Sequence, residues 1–485
     1  MQALTRGPLM LCASLLMGWS VAAQVGSGPS AGRPAIMPPL SPVTDEILRN
    51  PPAGDWLHSR RTYDGWSYSP LDQINRQNVA QLQLAWSWAM HPGNQQVSPV
   101  VHDGVMFLSN PGSIVQALNA VTGDLLWEYR REFPESRRAA AEMRTMRGLS
   151  VYEDKVYLNT ADAHLVALEA RSGRVVWDVE VANPDHRLYF SAPSLIARGK
   201  VISGLQGCEY FQQTKCAIVA HDARTGRELW RTSTIAHPGT PGGDSWGDVP
   251  LLFRAGSDVW ITGSYDPALN LTYWSTAQAK PWSRAARGTD GDALYTNTVL
   301  ALDPDTGRIV WHNQLLPGET HDMDEVFENI LVDVGSRKSL FKMGKLGILW
   351  QLDRQTGTFI SAEDLGYQNI VRVDRNTGRV TYRPNMIPTL GQVLDFCPST
   401  AGFKSWRAMA YHPETRAFYI PLLMTCEKGT FVDVKKVEGG GGLGLGRRVD
   451  TYHPESPDYL AQFIAMDATS GRLLWVAKQR APINT

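Results

Sequence analysis

Short apolar runs alternate with polar turn residues along this chain, in one recurring pattern. A few apolar residues end on an acidic residue or Asn, Thr-Gly or Ser-Gly follows, and a second apolar run closes on Trp. The pattern reads ALNAVTGDLLW at 117–127, ALEARSGRVVW at 167–177, AHDARTGRELW at 220–230, ALDPDTGRIVW at 301–311 and AMDATSGRLLW at 465–475. Weaker copies are SYDPALNLTYW at 264–274, QLDRQTGTFI at 351–360 and AYHPETRAFYI at 410–420. The aligned polar positions are Asn119, Glu169, Asp222, Asp266, Asp303, Asp353, His412 and Asp467, at spacings of 37 to 59 residues. Each unit predicts a β-hairpin. The Asp or Asn side chain bonds its own backbone two residues on, and Gly is free to take positive φ.

Hairpins recurring at this period predict an all-β fold, an eight-bladed β-propeller with the repeat tryptophans packed between neighbouring blades. No helical periodicity of useful length competes. The 16 tryptophans and 43 glycines suit such a fold. The sequence divides into a leader at 1–23, a Pro-rich segment at 24–51 expected to run extended over the surface, and the propeller at 52–485. The run EGGGGLGLG at 438–446 is read as a mobile loop, since no convincing helix follows to make it a dinucleotide cradle.

The N-terminus MQALTRGPLMLCASLLMGWSVAAQ has one positive residue, an apolar run from Pro8 to Val21 and a small-residue exit at Ala23. This is the layout of a secretory signal peptide. No later stretch is apolar and long enough to cross a membrane. The 47 basic and 48 acidic residues point to no nucleic-acid partner. With Cys12 in the leader, Cys208, Cys216, Cys397 and Cys426 remain, an even set that suggests disulfides in an exported protein. Three pairings are possible. Short loop closure favours Cys208–Cys216 and Cys397–Cys426. There is no CxxCH for covalent haem.

The stretch QGCEYFQQTKC at 206–216 places Glu209 directly after a cysteine. Together with TYDGWSYSPLDQINRQNV at 62–79, SPVVHDGVMFLS at 98–109, the CPS–W–AYHPET segment at 397–415 and the repeat itself, it resembles the quinoprotein alcohol dehydrogenases. Those are eight-bladed propellers that carry pyrroloquinoline quinone (PQQ) and a calcium or lanthanide ion. The resemblance covers most of residues 52 to 478.

It implies a site. Gly207-Cys208-Glu209 matches the family segment whose Glu ligates the metal. In YDPALNLTYWSTAQAKPW (265–282), Gln278 stands where the family has a metal-binding Asn. Asp324 in THDMDEVFEN (320–329) matches the catalytic base and a further metal ligand, with Asp322 as the alternative across a one-residue deletion. Lys345 matches the cation beside the quinone carbonyls. Trp260 matches the indole that stacks on the quinone. Gln96, Arg147, Thr160, Gly207, Cys208, Ser405 and Trp406 match other cofactor contacts. An Asp two positions after the base marks lanthanide users. Val326 stands there if Asp324 is the base, which implies calcium. The argument reverses if Asp322 is the base.

The chain also departs from the pattern. Gln96 and Ser405 replace a Glu and an Asn, no vicinal Cys-Cys occurs at 142–150, and relatives continue through another repeat after Trp475, so either the chain is a fragment whose propeller lacks its closing strands or the N-terminal strands close the ring differently. The function implied is an exported, periplasmic alcohol dehydrogenase that passes electrons from PQQ to a cytochrome c. The alternatives are a non-catalytic propeller scaffold or a degenerate quinoprotein.

Overall fold

The structure is a computed structural model that describes residues 37–483; the expected leader at 1–23 lies outside them. Six four-stranded antiparallel sheets follow one another, spanning 100–130, 150–180, 195–233, 264–314, 330–364 and 410–479. In each sheet the strands pair in chain order, so each is a meander. The fourth sheet accommodates an insertion at 276–297. The sixth accommodates one at 424–460, in which Thr425–Phe431 pairs with Val393–Phe396 on one side and with Leu445–Tyr452 on the other, making a three-stranded sheet.

The eight repeat copies do not correspond to eight blades. Six of them, at 117–127, 167–177, 220–230, 301–311, 351–360 and 465–475, join the third and fourth strands of a sheet. The copies at 264–274 and 410–420 join the first and second strands of the fourth and sixth sheets. Counting them as blades therefore counts two sheets twice. The physical reason is that the turn chemistry is the same. Asp266 accepts from the N–H groups of Ala268 and Leu269 at 2.9 and 3.1 Å, as Asp303 does from Asp305 and Thr306 at 2.8 and 3.3 Å. A further copy, DRNTGRV at 374–380, closes the hairpin of Val371–Val373 and Val380–Tyr382 and was not anticipated.

The repeat tryptophan bonds to the next sheet. Trp127 Nε1 donates to Ala170 O at 3.0 Å, Trp177 to Ala223 O at 3.2 Å, Trp230 to Pro304 O at 2.9 Å and Trp311 to Arg354 O at 3.3 Å. Each acceptor follows the aligned acidic residue of the next sheet's turn. The turn glycine lies under the indole: a Cβ on Gly307 would stand 2.4 Å from the Trp230 ring. Glycine therefore serves twice, taking φ 73° and leaving room for the ring. In the fifth sheet Phe359 plays the same part over Gly378.

Residues 37–51 differ from the extended surface run expected of them. They form a bridge from Val43 to Glu153 and a short helix, Asp45–Arg49, with Val43 and Leu48 buried. The glycine-rich run at 438–446 is not a free loop either. Gly439 N donates to Phe211 O, Phe211 N to Gly440 O and Gly442 N to Glu209 O, at 2.8 to 2.9 Å. Both expected disulfides, Cys208–Cys216 and Cys397–Cys426, are formed. Among the described residues no helix is long and apolar enough to cross a membrane.

Candidate active site

In a four-stranded meander, the first and third turns lie at one end of the sheet. The second turn and the connection to the next sheet lie at the other. The repeat turns mark the first end, and the chemistry collects at the second. Glu209 sits in the turn between Lys200–Gly204 and Ala217–Asp222, and Lys345 in that between Arg337–Met343 and Ile348–Asp353. Gln278 lies in the insertion between Leu271–Ser275 and Thr298–Leu302. Trp260 and the Asp322–Asp324 segment belong to the connections entering the fourth and fifth sheets.

One cluster is centred on Lys345. Its ammonium is buried, 2.9 Å from Asp322 Oδ2 and 3.0 Å from Asp324 Oδ2. The Gln278 side-chain amide donates to Asp322 Oδ1, and the Gln278 N–H donates to Asp324 Oδ1 at 3.1 Å. Glu319 accepts the Asp322 N–H at 3.2 Å and so fixes the segment. Asp322 holds a left-handed backbone with φ 81°, uncommon for a residue with a side chain. Burial pushes the Asp322 carboxyl well above the usual range. Lys345 opposes this rise and the charge of Asp324 adds to it.

A second cluster is centred on Lys280. Its buried ammonium lies 2.9 Å from Asp258 Oδ2 and 3.4 Å from Glu209 Oε1. Burial alone would depress Lys280, but Asp258 and then Glu209 outweigh it and hold the group well above the ordinary lysine range. Asp258 Oδ1 accepts the N–H groups of Gly207 and Cys208 at 2.7 and 3.0 Å, so one carboxylate fixes both the ammonium and the backbone leading to Glu209. Burial opposes ionisation of Asp258, while Lys280 and these N–H donors hold its carboxyl below the usual range. Gly207 adopts φ 97°, and a Cβ there would lie 2.4 Å from Arg187 O.

A cavity of about 580 Å³ is lined by Arg60, Gln96, Arg147, Ile261, Trp406 and Arg407 among others. The Arg147 guanidinium stands 4.8 Å over the Trp260 ring, and that of Arg407 5.2 Å from Trp406. Arg147 Nη1 donates to Ser191 Oγ at 2.6 Å, and Ser191 Oγ donates to Gln206 Oε1 at 2.6 Å. Trp260 is braced edge-on by Phe327 at 5.1 Å. Nε of Arg60, Arg147 and Arg407, and Oε1 of Gln96, are buried without a protein partner. Burial lowers Arg147 to about 10.

The structure thus brings Gln96, Arg147 and Trp406 to one cavity, with Trp260 packed against Arg147, and it unites Gln278, Asp322, Asp324 and Lys345. It does not bring in Thr160. That hydroxyl is engaged within its own turn, with Asp162 Oδ1 at 2.5 Å and the His164 backbone. Ser405 is buried but does not line the cavity. The expected metal ligands are divided, Glu209 going to Lys280 and Gln278 and Asp324 to the Lys345 cluster. The sequence reading missed Arg60, Ser191, Asp258, Lys280 and Arg407. Lys280, two residues after Gln278, and Asp258, two before Trp260, were open to notice as charges beside expected site residues.

Residues 56–362 match the family model for the PQQ glucose/ethanol/alcohol dehydrogenase β-propeller domain, and the chain belongs to that family. It is 34% identical over 388 residues to the quinohemoprotein alcohol dehydrogenase ADH IIB of Pseudomonas putida, covering 76% of this chain and 56% of that protein. It is 32% identical over 476 residues to the quinoprotein alcohol dehydrogenase PedH of Pseudomonas putida, covering 90% of this chain and 78% of PedH. A europium-containing methanol dehydrogenase superposes with a TM-score of 0.83 at 27% identity, covering 91% of this chain and 81% of the other. The chain thus spans a little over half the length of the ADH IIB relative.

The site residues fit PQQ, a flat polycarboxylate. Unpartnered guanidinium nitrogens suit its carboxylates, and the indoles suit its plane. They do not fit a calcium ion at Glu209. Calcium takes 6–8 oxygen ligands, whereas the Glu209 carboxylate faces an ammonium.

Proposed function

We propose that this chain is the quinone-binding body of an exported alcohol dehydrogenase that oxidises an alcohol to an aldehyde or ketone. The observation that carries the reading is the cavity of about 580 Å³ rimmed by Arg60, Arg147 and Arg407, with guanidinium nitrogens that no protein group satisfies. Arg60 pairs with Glu328 at 3.5 Å, but among the described residues Arg147 and Arg407 have no carboxylate partner, and a cation left without one in a largely buried rim is costly, so the rim favours an anionic ligand. When bound, PQQ supplies the two-electron acceptor for the alcohol's hydride.

The protein's part is to hold the ligand and handle proton and charge. Arg147, braced by Ser191, and Trp260, braced by Phe327, position the cofactor. The alcohol proton goes to the Asp322/Asp324 pair. Asp324 is the base that the family resemblance implies, but Asp322 shares the same ammonium. The two carboxylates therefore act as one proton-accepting unit. Lys345 offsets one of the pair's two negative charges and would supply a fixed positive charge to stabilise a developing anion. Electrons then leave to a cytochrome c, as the resemblance implies. The signal-peptide pattern of the sequence at 1–23 and two formed disulfides support an oxidising, periplasmic location.

The test is dye reduction by the purified protein with PQQ across small and bulky alcohols. Alcohol-dependent reduction that requires PQQ is expected. Absence of both turnover and PQQ binding would overturn the reading.

A further inference from the structure

We propose that the Lys280 ammonium stands in for the metal ion of the family, so that this cofactor site works without bound calcium or lanthanide. The inference rests on the PQQ reading given above.

Lys280 is buried and lies between two carboxylates from different parts of the fold, Asp258 Oδ2 at 2.9 Å and Glu209 Oε1 at 3.4 Å. Glu209 is the residue expected to supply the metal's carboxylate. The third ammonium hydrogen has no protein acceptor among the described residues. Two residues away, Gln278 Oε1 is also buried and unpartnered. The site thus offers a fixed cation with one free donor, and a free carbonyl acceptor, beside the Trp260 segment.

The surroundings are built for an ammonium. Asp258 spends one oxygen on Lys280 and the other on the N–H groups of Gly207 and Cys208. Moving it to an ion would release the loop that carries Glu209. Asp324, the third expected ligand, has both oxygens engaged, one by the Gln278 N–H and one by Lys345. A divalent cation here would face two ammonium groups and find few free oxygens, whereas calcium requires many. A lysine supplies one positive charge and three N–H donors without a coordination shell. It therefore orients and polarises a bound anionic acceptor by hydrogen bonding.

Three measurements on the full chain test this. Metal analysis of protein purified without added metal, and terbium luminescence titration, read the ion site without reference to cofactor. Quenching of tryptophan fluorescence by PQQ, in EDTA and then in calcium, reads cofactor affinity. Expected are no stoichiometric metal, no terbium site at Glu209, and a PQQ affinity that EDTA leaves unchanged. Lys280→Ala should weaken PQQ binding in EDTA by roughly tenfold or more, with calcium restoring it because Glu209 and Asp258 lose their ammonium partner beside the already free Gln278 Oε1. Lys280→Gln, which keeps the side-chain volume, is the second variant should the alanine form not fold. The proposal is overturned if the wild type binds PQQ only with calcium, or if it binds terbium at a site that Glu209→Ala abolishes. It is also overturned if the Lys280 variants bind PQQ in EDTA as the wild type does. Failure of PQQ to bind under any condition would sink the cofactor reading, while the terbium titration would still judge the ion site separately.

Discussion

Lys345 is tied to Asp324 twice: its ammonium lies 3.0 Å from Asp324 Oδ2, and its backbone N–H donates to the Asp324 carbonyl at 3.0 Å. The cation and the expected base are thereby locked in register by main chain as well as by charge. Lys345→Ala should lower kcat by about 10² to 10³ and leave the fold intact by circular dichroism. Wild-type turnover in this variant would remove Lys345 from the mechanism.

Asp322 and Asp324 share one ammonium, so their substitutions should not add. Asp322→Asn and Asp324→Asn should each lower kcat/KM by roughly 10² or more, and the double variant should lose little beyond the worse single. Strictly multiplicative losses would show that the two act independently.

Burial first, and the charge of Asp324 in addition, raise the Asp322 carboxyl. A base must be ionised to act, so activity should fall as pH drops through this raised value. The acid limb of kcat/KM should therefore lie above the ordinary carboxylate range near ~3.9. Asp324→Asn removes a like charge, so the limb of its residual activity should move to lower pH. A limb that stays put or moves up would contradict the coupling.

The Trp230–Gly307 contact offers a stability test. Trp230→Ala loses a buried indole and its bond to Pro304 O, and should cost about 3–5 kcal/mol in urea unfolding. Gly307→Ala meets both a left-handed backbone (φ 73°) and the Trp230 ring. Gly335→Ala, at φ 64° with nothing within 4 Å, meets only the backbone term of about 1–2 kcal/mol. Equal losses at the two glycines would show that the indole does not press on the turn.

The Cys208–Cys216 bridge closes the loop that carries Glu209. Replacing both with Ser should cost about 2.5 kcal/mol in the chain-entropy model and also weaken PQQ binding, since Asp258 accepts the Cys208 N–H. Unchanged PQQ affinity would make the bridge purely a staple of the fold.

What the sequence by itself determined is what a few neighbouring residues can enforce. Asp303, Thr306 and Gly307 close a turn with bonds that span two or three residues, so the hairpins were legible wherever that chemistry recurs. The eight-residue separation of Cys208 and Cys216 likewise favoured the pairing that forms. The same locality explains why the copies do not map one to each sheet. The Asp266 turn satisfies its backbone just as the Asp303 turn does, and nothing within it says which hairpin of a sheet it closes. Only the tertiary structure decided that two of the copies open their sheets and that the chemistry gathers at the opposite end from the repeat turns. It alone set Lys280 between Glu209, 71 residues away, and Asp258, 22 away. The physical reason is that an ion pair acts through space. Which carboxylate an ammonium meets depends on how connections from different sheets converge, and no short-range pattern along the chain encodes that convergence.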